Sequence, residues 1–222
     1  MTEIVAEISG NHGGSLYNAL RLIRAAADVE ADAVKFQCFE PERLAEKRSK
    51  SLRVVELAKD FHGRSLIDLY REIHTPKEWF PDLIRQAEAC GLRWFSSVFD
   101  PKDVAFLETL DCPRYKVSAF EMLDGDLINA VVATRKPIVL SVRPVPGVTI
   151  LRATEYDGRA DVALGISDHS KDMKFISADC PMVERHLRLP DVPCHDREFS
   201  STPAEFREYV AAIKKGRPFG AA

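Results

Sequence analysis

Two short apolar runs in the last third of the chain each end on a histidine: Asp161-Val-Ala-Leu-Gly-Ile-Ser167-Asp168-His169 and Cys180-Pro-Met-Val-Glu184-Arg185-His186. An apolar run that stops on a polar cluster is the pattern of a buried strand delivering side chains to one end of a sheet. Two consecutive strands doing so with imidazoles can chelate one metal ion. The same pattern recurs upstream. Glu7 sits late in Ile4–Ile8, next to Ser9-Gly10-Asn11-His12, and Lys35 and Gln37 alternate on Ala33–Cys38 and so share a face. Ser96 and Ser97 fall near the end of Leu92–Phe99, Lys116 lies within Arg114–Ala119 with Glu121 just beyond, and Ser141 closes Pro137–Ser141. Glu184 and His186 share a face of their run.

Apolar strands seldom carry this many ionisable groups unless the groups are paired or bind a ligand. Two lysines with several serine hydroxyls make a cradle for a phosphate and a carboxylate. A nearby carboxylate is suited to general acid or base work. Each residue also has a plain structural use: Lys35 and Lys116 can pair with Glu7 and Glu121, and one serine in a strand needs no ligand. His12 follows Asn11 in a loop before a helix and either touches a substrate or caps; His195 is a second outlying candidate. His62 and His74 lie in charged or helical surroundings, and Trp79, Trp94 and Phe95 read as core.

These residues must be held by alternating strands and helices. Ser15 reads as the N-cap of a helix over 16–29, Thr75-Pro76 as a cap, Asp100-Pro101 as the opening of another helix, and Thr202-Pro203 as the start of a last one running to about 215. A long charged segment, 40–62, reads as an excursion. Eight strand candidates result, the sixth and seventh being Thr149–Thr154 and the run to His169. Near-continuous apolar strands separated by helices indicate an α/β fold with a parallel sheet, and eight of them favour a (β/α)8 TIM barrel. Chemistry in such barrels collects at the C-terminal ends of the strands, where the polar residues above fall. Only a few residues separate Ser141 from Thr149 and Tyr156 from Asp161, while a parallel crossover needs about a dozen. The expectation is a barrel lacking outer helices after strands five and six.

The 222 residues, 45% hydrophobic, suit one domain over 1–222. A net charge of −3 with interspersed charges gives no basic footprint for nucleic acid and no membrane-surface helix. No apolar stretch approaches the roughly 20 residues that span a bilayer, and a strand-like run begins at Ile4, leaving no room for a signal peptide. Five cysteines without C-x-x-C spacing read as reduced thiols of a cytoplasmic protein. Neither a Gly-rich dinucleotide fingerprint nor a P-loop occurs.

Taken together, these segments resemble the sialic acid synthase family, the N-acetylneuraminate synthases and their pseudaminic and legionaminic relatives. The resemblance runs from about residue 3 to 213 through Ala6–His12, Ala31–Gln37, Phe95–Asp100, Tyr115–Glu121, Lys136–Ser141, Gly165–His169 and Glu184–His186; Leu69–Trp79 looks most like the pseudaminic and legionaminic branch. It implies condensation of phosphoenolpyruvate with an N-acylated amino-hexose to give a nine-carbon 2-keto acid and phosphate. It implies a divalent cation, Mn2+ or Mg2+, on His169 and His186, and a homodimer. Lys35, Ser97, Lys116, Ser141 and Ser167 fall on phosphoenolpyruvate positions, Gln37 and Asp196 on sugar positions, and Glu7 and Glu121 on acid/base or orienting carboxylates. Ala119 replaces the family's usual serine, Val142-Arg143-Pro144 replaces Thr-Gly-Met, and Glu155-Tyr156-Asp157 stands for Asn-x-Tyr-Pro, leaving Tyr156 as a sugar contact. The family's C-terminal antifreeze-like domain has no counterpart here, so a barrel alone is expected. A non-catalytic or catalytically impaired synthase-like protein, or a metal-dependent aldolase or lyase on the same barrel, are the other readings.

Overall fold

Polar caps and apolar stripes set the helices where the spacing indicates. A computed structural model describes residues 2–49, 65–145, 148–154, 163–170 and 180–215, with the backbone alone at 142–145, 148–154 and 163–164. Ser15 accepts from the Asn18 N–H to open α1 (Leu16–Asp28), whose buried face is Ala19, Leu22, Ile23 and Ala26. Further helices are α2 (Pro41–Ser49), α3 (Leu66–Ile73) and α4 (Phe80–Ala89). They are followed by α5 (Pro101–Glu108), α6 (Gly125–Ala133) and α7 (Pro203–Lys214). Ser65, Asp100, Asp124 and Thr202 cap four of them with side-chain oxygens, each such cap contributing about 1 kcal/mol. Thr75-Pro76 opens a 3-10 turn, Lys77–Trp79, that leads into α4. The excursion that follows Ala33–Cys38 is helical over α2, and its remainder, with His62, lies outside the described residues.

The strands are β1 (Glu3–Glu7), β2 (Ala33–Cys38), β3 (Arg93–Val98), β4 (Tyr115–Val117), β5 (Ile138–Val145), β6 (Val148–Thr154), β7 (Ala163–Asp168) and β8 (Met182–His186). They close into a ring in chain order, with β8 pairing back onto β1. Seven strands run in one direction, and β6 is antiparallel to both neighbours. The expected barrel closes and the helix after strand five is missing, but its sheet is not parallel throughout, which corrects the expectation of a (β/α)8 barrel built on a parallel sheet. Only two residues separate Val145 from Val148, too few for a parallel crossover and the right number for a hairpin. The strand assignment holds, no helix stands between β5 and β6, and the direction of β6 is reversed. The pairing of β5 also shifts register between Ser141 and Arg143, a bulge at the point where β5 leaves the parallel pattern.

Inside the ring the residues stack in layers with the strand period of two. Val5, Ala33, Phe95, Val139 and Met182 form an apolar cluster of their own. Two residues further along each of those strands stand Glu7, Lys35, Ser97, Ser141 and Glu184, all buried. Below the apolar layer, the Arg114 guanidinium covers the Phe95 ring at 4.0 Å and bonds Glu3 at 2.8 Å. The opposite faces of the strands pack against the helices through Phe36, Trp94, Phe80 and Leu83 in the main core.

Candidate active site

The polar layer opens into a cavity of about 930 Å³ at the C-terminal end of the parallel strands, lined among others by Glu7, Lys35, Gln37, Ser97, Lys116, Ser141, Ser167, His169, Glu184, His186 and Asp196. Ten of the twelve residues singled out from the sequence therefore meet in one place. Of the other two, Glu121 lies just behind the wall, and Tyr156 falls outside the described residues. The strand before Tyr156 ends at Thr154 opposite Ile138, at the end of the barrel remote from the cavity, because β6 is reversed.

Two ammonium groups and two carboxylates sit at the floor. Lys35 Nζ donates to Ser97 Oγ at 2.9 Å, pairs with Glu7, and lies 3.7 Å from Glu184 Oε2. Lys116 Nζ reaches Glu184 Oε1 at 2.5 Å, and the Ser167 hydroxyl donates to that same oxygen at 2.8 Å. Burial pushes the Lys35 ammonium down to about 7, with Lys116 adding to the effect and Glu184 opposing it. Burial works to raise the Glu184 carboxyl, but Lys116 and Lys35 hold it well below the usual carboxylate range. A buried carboxylate clamped by two lysines in a cavity is the kind of perturbed ionisable cluster that marks a candidate functional site. Glu184 stands two residues before His186 on the same strand face, the sequence signal that places it in this layer although no role follows from it alone.

Ser9, with φ of 40°, holds its backbone N–H on Glu7 Oε1 at 2.7 Å. Glu121 accepts from Arg48 and from Ser118, both of which line the cavity. Burial pushes the Glu121 carboxyl up against the pull of Arg48. Tyr70, Ile73, Phe99, Phe120 and Leu123 make an apolar wall on the outer part of the cavity.

The two imidazoles stand at the rim with ring centres 5.1 Å apart. His169 Nδ1 lies 3.1 Å from the Ser167 carbonyl oxygen, and His186 Nδ1 lies 3.0 Å from Asp196 Oδ2. Each ring thus has its Nδ1 facing an oxygen of its surroundings, the kind of outer contact that orients metal-binding histidines. Burial, then His186, pushes His169 down to about 4, which keeps its ring neutral and its lone pair available. Burial raises and His186 lowers the Asp196 carboxyl, with a net downward shift. Two rings that share one cation at nitrogen distances of about 2.1 Å must bring their centres to about 5 Å, so the pair fits such an ion. Among the described residues no set of three or more His, Cys, Asp or Glu side chains forms a complete cage, so water or substrate would fill the remaining positions.

The outlying histidines are not among the residues that line the cavity. His12 is fully buried, accepts from the Gly14 N–H at 3.1 Å and meets Trp79 edge-on; burial, then His74, pushes it down to about 4. His195 pairs with Glu72 at 3.0 Å away from the cavity. Asn11 ties the loop after β1 to the Leu187 carbonyl and to Ser200. Phe199 and Arg48, both in the cavity wall, had no strand periodicity to reveal them.

The NeuB family model matches residues 22–143. The chain is 35% identical to the pseudaminic acid synthase of Helicobacter pylori, over 96% of this chain and 74% of that protein. It is 28% identical to the pseudaminic acid synthase of Campylobacter jejuni, over 96% of this chain and 73% of that one. Its fold matches the N-acetylneuraminic acid synthetase of Leptospira borgpetersenii, solved with citrate, at a TM-score of 0.75, 20% identity, and coverage of 96% and 83% of the two chains.

Proposed function

The chain belongs to the NeuB family, and from that premise we propose that it condenses phosphoenolpyruvate with an N-acylated amino-hexose, forming a nine-carbon 2-keto acid and releasing phosphate. The observation that carries this reading is the joining of a two-lysine, three-serine anion seat and an imidazole pair in one cavity large enough for both substrates.

Lys35 and Lys116, with Ser97, Ser141 and Ser167, hold the phosphate and carboxylate of the donor. To do so the lysines exchange part of their contact with Glu7 and Glu184 for the donor's oxygens, which keeps the buried charges compensated throughout. Gln37 and Asp196 face the acceptor. The donor methylene carbon attacks the acceptor aldehyde carbon, whose oxygen takes up a proton to become a hydroxyl; water adds to the donor C2, and the C2–O bond to phosphate breaks as C2 becomes the keto carbonyl. Glu7 is placed at the lysine end to take the proton from that water, and the buried Glu121 orients Arg48 and Ser118. His169 and His186 would hold a divalent cation, Mn2+ or Mg2+, which supplies Lewis-acid polarisation of the acceptor carbonyl when bound. The floor itself calls for such a cation: the two ammoniums already face two carboxylates, so a donor bearing several negative charges needs further positive charge nearby. A single barrel domain acting in the cytoplasm as a homodimer completes the reading.

The test is phosphate release by purified protein with phosphoenolpyruvate, Mn2+ and a panel of N-acylated amino-hexoses. Equal amounts of phosphate and 2-keto acid, lost with EDTA, are expected. Pyruvate formed from the keto acid without phosphate release would instead identify an aldolase or lyase, and no turnover with any acceptor would overturn catalysis.

A further inference from the structure

The third side of the imidazole pair is closed by an aromatic ring. Phe199 lies 5.3 Å from His169 and 4.9 Å from His186, centre to centre, with interplanar angles of 62° and 88°. With the 5.1 Å between the imidazoles, the three centres form a nearly equilateral triangle. Both contacts are edge-to-face, the arrangement in which aromatic quadrupoles attract and ring orientation matters.

The backbone that carries Phe199 is pinned on both sides to the elements that carry the histidines. Its N–H donates to the Asp196 carbonyl at 3.2 Å, closing the short turn His195–Glu198 that also delivers the Asp196 carboxylate. The next residue, Ser200, donates its hydroxyl to that same carbonyl at 2.7 Å and accepts from Asn11 at 3.1 Å. Ser201 then donates its N–H to the His186 carbonyl at 2.8 Å and accepts from Arg185 Nε at 2.6 Å. Arg185 in turn pairs with Asp168, next to His169, at 3.1 Å. A continuous hydrogen-bond and ion-pair network thus fixes the ring relative to both strand ends.

We propose that Phe199 is a positioning residue that sets the separation and tilt of the His169 and His186 rings and so governs the affinity of the pair for a divalent cation. An imidazole at a strand end turns about two side-chain bonds, and one nitrogen contact apiece leaves that rotation only partly restrained. A ring against both supplies the missing restraint without competing as a ligand. This inference rests on the reading of the two histidines as cation ligands.

The experiment titrates metal-free protein with Mn2+, following the free ion by electron paramagnetic resonance, for wild type, F199L, F199A and H186A, with circular dichroism to verify folding. Leucine keeps most of the volume but has no ring edge, so F199L remains informative if F199A fails to fold. Wild type should bind one ion and H186A should lose it. F199L should bind roughly 10- to 100-fold more weakly, as expected when partners that orient ligands are removed, and should recover most of its kcat once Mn2+ is saturating. Wild-type affinity in F199L overturns the role of Phe199 alone. Failure of the wild type to bind Mn2+ overturns it together with the cation reading of the histidines, so the two failures are distinguishable.

Discussion

Lys35 concentrates the electrostatics of the site, because it touches Ser97, Glu7 and Glu184 while buried to 2% exposure. Its ammonium is pushed down to about 7 by burial, and an anionic donor needs the protonated form. Donor binding is then fullest below about 7 and weakens as pH rises through that value. The KM for phosphoenolpyruvate should climb up to about tenfold per unit between about pH 7 and 9, set by the fraction of Lys35 still charged. Lys35→Arg, charged throughout this range, should flatten the rise; a flat wild-type profile would exclude Lys35 as the donor's counter-charge. The residues of this layer were legible in the sequence because a strand repeats every two residues, so a charge two positions beyond an apolar interior residue must face inward as well. Glu184 obeys the same rule. Its role was hidden because only closure of the ring shows that both lysines converge on it.

At the scale of elements, the loop after β1 carries much of the arrangement. A Cβ built on Gly10 would meet Ile73 Cβ at 2.5 Å and the Ile73 carbonyl at 2.8 Å, so the loop is packed directly on the end of α3. Ile73 lines the cavity. Gly10→Ala should force α3 outward, costing about 1–3 kcal/mol as overpacked sites do. It should raise the KM for the acceptor more than that for the donor, since α3 borders the outer, apolar part of the cavity. Thermal unfolding and the two KM values check this; an unchanged melting temperature would show that α3 yields freely. The direction of β6 belongs to this scale too. Alternating or apolar strand patterns read the same in both chain directions, so Thr149–Thr154 is recognisable as a strand but not as a reversed one. Only the two-residue link to β5 decides it.

For the molecule as a whole, the proposed function requires the ring to close, because the two histidines arrive at the ends of β7 and β8 while the lysines and serines proposed for the donor come from β2 to β5 and β7. A ligand spanning the cavity bridges these strands and should stabilise the native state by linkage. At about 100 times Kd, phosphoenolpyruvate should add about 2.7 kcal/mol, read as a rise in melting temperature that Lys116→Met abolishes. No rise at saturating donor would argue against the anion seat. The sequence by itself determined the strand and helix series, the faces on which Lys35, Gln37, Glu184 and His186 lie, and the apolar layer beneath them, because these follow from local periodicity and capping. Tertiary structure alone decided the clamp on Glu184, the place of Glu121 behind Arg48 and the Phe199 triangle. Each depends on residues far apart in the chain meeting at a distance that only the closed, layered barrel sets.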